Sequence, residues 1–329
     1  MTRADQIRAV AELGFTERQA GFLVTVVLHA GVCVGRQYCV FAQIVRGQKV
    51  HDFFSTLVAK KLATPYTSAH RGARLYHVQG KTLYAAVGEP NNRNRRPATL
   101  ARAIERLMVL DAVLADQRLR WLGSEREKVQ YFQAATTLRP NELPYLGFGV
   151  PPGQTVRYFP DKLPIGVAPD GRTNLFLYLV NRQAPVDFRA FLHRHVELFR
   201  ALPDWEVRLL VPQRFAKAAP VFEGAARQEL AMPLRLDAVD ELGWFFGQQR
   251  AVEAGSIPED GPRFDHAHRR FHAPRFRTLY RLWKKQGSRL LHGTVSPVLG
   301  DALARGRGRV TTEVLARGYQ HLSSMVGSA

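Results

Sequence analysis

Among the 329 residues, the side chains most able to do chemistry are histidines, carboxylates and a large surplus of cations. His193 and His195 form H-x-H in a stretch that reads as helical, so their rings point about 200° apart and cannot share one metal; surface or capping positions are expected for both. His268 and His272 stand one helical turn apart with Asp265 nearby, the spacing of a metal pair without a third strong ligand. The chain contains no GxxxxGK[ST], no HExxH, no GxSxG, and no GxGxxG following a strand, which removes the chemistries those motifs carry. Cys33 and Cys39 are the only cysteines and match neither a disulfide framework nor a zinc spacing. In a segment read as helical they are expected to pack as small apolar groups in a reducing cytoplasm.

The cations are unevenly placed. Lys and Arg total 47 against 28 acids, a formal charge of +19. Residues 1–97 hold 14 basic and 5 acidic side chains, residues 98–261 hold 20 of each, and residues 262–329 hold 13 and 3. Two basic ends around a neutral middle suit a polyanion, through neutralised phosphates and released counterions. An anionic membrane surface is the competing partner. No window approaches 18 apolar residues and the start, MTRADQIRAVAELGF, lacks the features of a secretion signal, so neither a membrane span nor export is expected.

These cations need elements to position them. Thr16 to Gln19 reads as a capping box, followed by Phe22, Leu23, Val26, Val27 and Ala30 at helical spacing and by Gly31 as the terminator. A short helix over 36–44 carries Tyr38, Val40 and Phe41 inward. A third, over 48–62, buries Val50, Phe53, Phe54, Leu57, Val58 and Leu62 and turns Gln48, Lys49, Asp52, Ser55, Thr56, Lys60 and Lys61 outward. Glutamine and lysine in a first turn can reach base edges, and the hydroxyls and later lysines suit phosphate oxygens. Two strands, 63–66 and 74–78, flank a basic tip with Arg71 and Arg74, and a closing helix covers 80–87. Helix, strand, basic loop, strand is the winged helix-turn-helix order, expected for residues 1–89. Residues 90–97 (PNNRNRRP) are a basic linker; Arg93, Arg95 and Arg96 either track phosphates or line a solvated hinge.

Residues 98–261 read as a bridging helix (99–117, with Ile104, Leu107, Met108, Val109 and Leu114 inward) and an α/β domain. Its helices are 125–135 and 186–201, and its strands lie near 145–150, 156–159, 174–180 and 205–211. A helix over 237–254 packs Leu242, Trp244, Phe245 and Phe246. Residues 262–329 form a basic helical region. There residues 275–285 set Phe276, Leu279, Tyr280 and Trp283 on one face and Arg277, Arg281, Lys284 and Lys285 on another, suiting phosphates or an anionic membrane. Residues 305–309 (RGRGR), with Arg307 at the centre, read as a flexible phosphate-binding loop, and 312–325 as a last helix that packs or dimerises.

The segments LGFTERQAGFL, KVHDFFSTLVAKKLATPY, RLYHV and RYFPDKLPIGV…TNLFLYLV, over roughly residues 10–212, resemble the replication-relaxation family of plasmids and integrative elements. The later block also resembles the PD-(D/E)xK nuclease fold, a restriction-endonuclease-like αβββαβ domain. Pro160-Asp161 matches the first element of that motif, whereas Tyr178 and Val180 stand where an acid and a lysine are needed. Asp161 alone cannot hold a divalent ion, so a degenerate scaffold is implied and Asp161 reads as a turn residue. The sequence thus points to an α+β and α/β multidomain protein that binds double-stranded DNA, without a cofactor, as a sequence-specific regulator or replication accessory; a homodimer is compatible. A metal-dependent nuclease is the enzymatic alternative. It needs Mg²⁺, with Asp161 as the catalytic carboxylate and Asp170, Asp187 or Glu197 rebuilding the site. A winged-helix protein-interaction adaptor is the third reading.

Overall fold

The computed structural model describes residues 1–66, 74–149, 155–317 and 319 and is a mixed α/β structure. Helix α1 (Arg3–Ala11) precedes α2 (Glu17–His29), which starts at the expected capping box: Thr16 Oγ1 accepts from Gln19 N at 3.3 Å and the Gln19 side chain accepts from Thr16 N at 3.0 Å. Next come β1 (Val32–Val34), α3 (Gly35–Ala42), α4 (Gln48–Ala59), β2 (Ala63–Pro65), β3 (Leu75–Val78) and α5 (Lys81–Ala86). The three strands form an antiparallel sheet in the order β1-β3-β2.

Several sequence expectations need correction here. Cys33 lies on β1, not in a helix: the left-handed Gly31 turns the chain out of α2, and the three buried residues of β1 then pair with β3. Val40 and Val58 are exposed at 44% and 36%, not in the core. On α4, Val58 sits about 80° round the helix from Val50, at the rim of the stripe. The helix stops at Ala59 because Lys61 adopts φ +56°, after which Leu62 N returns to Leu57 O at 2.9 Å and tucks Leu62 inside.

The linker is docked and is no solvated hinge. Asn94 Nδ2 donates to Val27 O and Leu28 O at 3.1 and 3.2 Å, and Asn94 O lies 3.1 Å from His77 Nε2. Gly31, at φ +68°, faces it so closely that a Cβ there would overlap the Asn94 backbone. Gly31→Ala is therefore expected to cost at least about 1–2 kcal/mol from the left-handed backbone alone. Urea unfolding checks this, and a loss below about 0.5 kcal/mol, the size of an ordinary surface change, would contradict the seating.

Helix α6 (Leu100–Ala115) is capped by Thr99, and its five expected inward residues are buried. It packs against α2, α3 and β1 on one side and β8 on the other, so one apolar cluster runs from the N-terminal elements through α6 to Leu175, Leu177 and Leu179. The remaining elements are β4 (Arg120–Leu122), α7 (Glu125–Ala135), β5 (Tyr145–Phe148), β6 (Thr155–Tyr158), β7 (Ile165–Val167), β8 (Thr173–Leu179), α8 (Val186–Ala201) and β9 (Asp204–Pro212). After these come α9 (Ala219–Ala226), α10 (Leu236–Glu253), α11 (Gly261–Arg270), α12 (Pro274–Gln286), α13 (Arg289–Gly293), α14 (Val298–Ala304) and β10 (Gly308–Leu315). The main sheet has the order β10-β9-β8-β7-β4: β8, β9 and β10 run parallel, and β7 and β4 continue antiparallel. Strand β8 is covered on both faces. Its leucines meet the α6 cluster, while Phe176, Tyr178 and the following Val180 join Phe188, Phe191 and Phe199 of α8 in a second cluster, and this gives the near-continuous apolar run TNLFLYL.

The expected strands near 145–150 and 156–159 form a separate two-stranded ribbon, β5 with β6, whose Tyr145, Phe148 and Val156 are exposed. Their places in the main sheet belong to β4 and β7, three residues each and too short to show a period of two. The helix expected over 312–325 is also corrected, since residues 308–315 form the edge strand β10. The run Val310, Thr311, Thr312, Val314 is β-branched and favours a strand. Residues 318 and 320–329 lie outside the described part.

Candidate nucleic-acid interface

Helix α4 divides into two distinct faces. Val50, Phe53, Phe54 and Leu57 are buried against Phe22 and Tyr38, with Tyr38 and Phe53 rings 4.4 Å apart, while Gln48, Lys49, His51, Asp52 and Ser55 are exposed and Thr56 half-buried. The outward groups are partly organised: Gln48 Nε2 donates to Asp52 Oδ1 at 2.6 Å, and His51 Nδ1 lies 3.2 Å from Ser55 Oγ. Lys49 and Lys61 are exposed, whereas Lys60 donates to Leu13 O at 3.1 Å, which ties it to the end of α1. Arg74 is exposed at the start of β3; the tip with Arg71 lies outside the described residues. Helix α3 is fixed from behind: Arg36 pairs with Asp111 at 2.8 Å, Gln37 Nε2 donates to Leu107 O at 2.9 Å, and Tyr319 Oη donates to Asp111 at 2.6 Å.

The other expected cations are not all gathered on this face. Arg93 and Arg96 are exposed on the docked linker and Arg95 is half-buried. Arg277, Arg281 and Lys285 are exposed on α12, which packs on α8 and shares a third apolar cluster with α10, α11 and α13, and Lys284 pairs with Glu253 at 3.0 Å. Arg307 is exposed, but the RGRGR stretch is no flexible loop: Arg307 O accepts from Trp205 N at 2.9 Å, and Arg309 on β10 pairs with Glu206 at 3.2 Å.

The carboxylates do not fit a divalent ion. Asp161 sits in a turn before β7, paired with Arg194 of α8 at 2.6 Å. Asp170 caps its own turn by accepting from Arg172 N at 2.8 Å, Asp187 pairs with Arg182 at 3.0 Å, and Glu197 pairs with Arg200 at 2.7 Å. Among the described residues no three potential metal ligands cluster. His268 and His272 do not share a helical turn, because α11 ends at Arg270 and His272 Nδ1 lies against Arg269 O at 2.6 Å.

No protein family, characterised protein or solved structure with which the chain was compared matches it. No helix among the described residues is long and apolar enough to cross a membrane.

The histidines of α8 are not surface or capping groups, as expected from H-x-H. His195 is buried among Phe159, Phe176, Phe191 and Phe199, and burial lowers its pKa to about 4. His193 is buried too, with Nε2 2.8 Å from the buried carboxylate of Glu229, which also meets Arg189 and Arg275. Sequence reasoning also missed a crowd of cations around Lys162. No local signal marked it, since Asp161 directly precedes Lys162 and Glu105 stands between Arg102 and Arg106 in the chain.

Proposed function

We propose that the chain binds double-stranded DNA, with residues 1–89 acting as a winged helix-turn-helix in which α3 and α4 are the helix pair and β2 and β3 carry the wing. The observation that carries this reading is the outward face of α4, with Gln48 and Lys49 in its first turn, on a helix braced by an aromatic core beside a three-stranded sheet. The nuclease-like reading takes α6, β4, β7, β8, α8 and β9 as the αβββαβ core, and it requires α7 and the β5–β6 ribbon to be an insertion between β4 and β7. Because Asp161, Asp187 and Glu197 pair with arginines and Asp170 caps its own turn, the α/β part serves as a scaffold, and no hydrolytic step is proposed. The replication-relaxation resemblance extends the proposal to a regulator or replication accessory of a mobile element, cytoplasmic and able to act as a pair on two half-sites.

Anisotropy with a labelled duplex tests the reading. Binding is expected at about 50 mM salt and should fall steeply as salt rises, and Lys49→Ala with Lys61→Ala should flatten the log–log salt slope by about 2. Absence of binding at the lower salt would overturn it.

A further inference from the structure

A cleft of about 450 Å³ opens between the docked linker and the α/β body, walled by Asn94, by Arg102 and Arg106 of α6, by the turn 160–163 and by Arg194. A second recess, about 150 Å³, shares Lys162 with it and adds Arg93 and Arg157. Lys162 stands where the two meet. Phe159 and Lys162 have φ +46° and +57°, and Lys162 N donates to Phe159 O at 3.0 Å, so a tight left-handed turn delivers the ammonium into the mouth of the cleft.

The cations there outnumber their acids. Glu105 is held by Arg102 at 2.5 Å, Asp161 by Arg194 and Asp187 by Arg182 at 3.0 Å, while Glu125 reaches Arg157 only at 3.9 Å and Glu89 also lines the smaller recess. The side chains of Lys162 and Arg93 make no hydrogen bond or ion pair with the described residues, and Arg106 Nη1 is buried without a partner. Partial desolvation and the fields of Arg93, Arg102, Arg106 and Arg157 lower the Lys162 pKa to about 8. His29 also lines the cleft. It is 6% exposed, yet neither ring nitrogen has a partner. Buried polar groups in native proteins are nearly always satisfied, so an orphaned imidazole beside unneutralised guanidinia marks a place for a ligand that accepts hydrogen bonds and carries negative charge.

We propose that this cleft binds a phosphate group, either of a free nucleotide or of a single nucleic-acid strand, with Lys162, Arg102 and Arg106 as the charged contacts and His29 as a donor at the wall. The proposal does not depend on α4 docking to a duplex. Two probes separate the sources: ADP by calorimetry, and a labelled single-stranded 12-mer by anisotropy, both with the full chain at low salt. Lys162→Asn removes the charge while tolerating the left-handed backbone, and it is expected to weaken the probe that binds by about tenfold, the loss of one charge-assisted contact. His29→Phe should weaken it without removing a charge, and Lys217→Ala, at an exposed position outside both recesses, should leave it unchanged. ADP binding assigns a nucleotide site, and binding of the 12-mer alone assigns a strand. The proposal is overturned if neither probe binds, or if Lys162→Asn and Arg106→Gln both leave affinity within twofold.

Discussion

Glu229→Gln is expected to destabilise the fold by about 3–5 kcal/mol, the cost of stranding buried charges when one partner is removed. The Glu229 side chain is 1% exposed and sits in the five-residue π-helical turn 227–231 that continues α9. Arg189 and His193 of α8 and Arg275 of α12 converge on it, with His193 Nε2 at 2.8 Å and Arg275 Nε at 3.4 Å. Burial alone would raise its pKa. The close approach of His193 and the charges of Arg275 and Arg189 more than offset that, so the carboxylate is held below its ordinary range. Neutralising it leaves Arg189 and Arg275 without their counter-charge, and joins between α8, α9 and α12 loosen together. Chemical denaturation of wild type and variant measures the loss, and a cost under about 1 kcal/mol, the ordinary worth of a solvated surface pair, would mean that water screens the cluster. The triple change of Glu229, Arg189 and Arg275 to apolar residues is expected to recover most of the stability, because it removes the desolvation cost together with the attraction.

None of this network was visible in the sequence. Arg189 and His193 are four apart on one helix, but Glu229 and Arg275 reach them across the fold, and long-range pairing leaves no periodic trace. What was legible is local. The capping box at Thr16, the stop at Gly31, the buried stripe of α4, the bounds of α8 and the paired runs of β2 and β3 each depend on neighbours a few residues away. What failed was either too short or decided elsewhere. Strands β4 and β7 have three residues each and take their place from the sheet they complete. Strand β10 became the parallel neighbour of β9, although 312–325 also carried apolar residues at helical spacing. The same logic divides the candidate sites. The α4 face is one helix and could be read residue by residue, whereas the cleft at Lys162 is assembled from the linker, α6, a turn and α8, so nothing in the order of residues announced it.

Acid should weaken the fold well before its carboxylates protonate. Among the described residues, His29 and His195 are buried with strongly lowered pKa values, and burial lowers that of His77 as well. Burial, then the nearby charges of Arg3 and Lys128, lowers the His29 pKa to about 3; burial lowers that of His195 to about 4, against partial compensation from Asp161 and its hydrogen-bond contact with Phe191 O. In the unfolded chain both rings return to about 6.5. Above that pH the rings are neutral in both states and their burial costs nothing in protonation. As pH falls through 6.5 the unfolded state gains protons that the folded state refuses, so stability drops with a slope approaching about 1.4 kcal/mol per pH unit for each ring. The loss from His195 levels off once pH passes its folded pKa near 4, and that from His29 continues toward 3. Denaturation midpoints between pH 7 and 4.5 should therefore decline steeply, in a window where an ordinary aspartate is still largely ionised. His195→Phe keeps a ring among Phe159, Phe176, Phe191 and Phe199, and should flatten the slope by roughly a third to a half, since it removes one strongly shifted ring and leaves His29 and the less shifted His77. Proton resonances of the two rings should show no titration above pH 5; a midpoint near 6.5 for either would place that ring in water and remove its share of the effect.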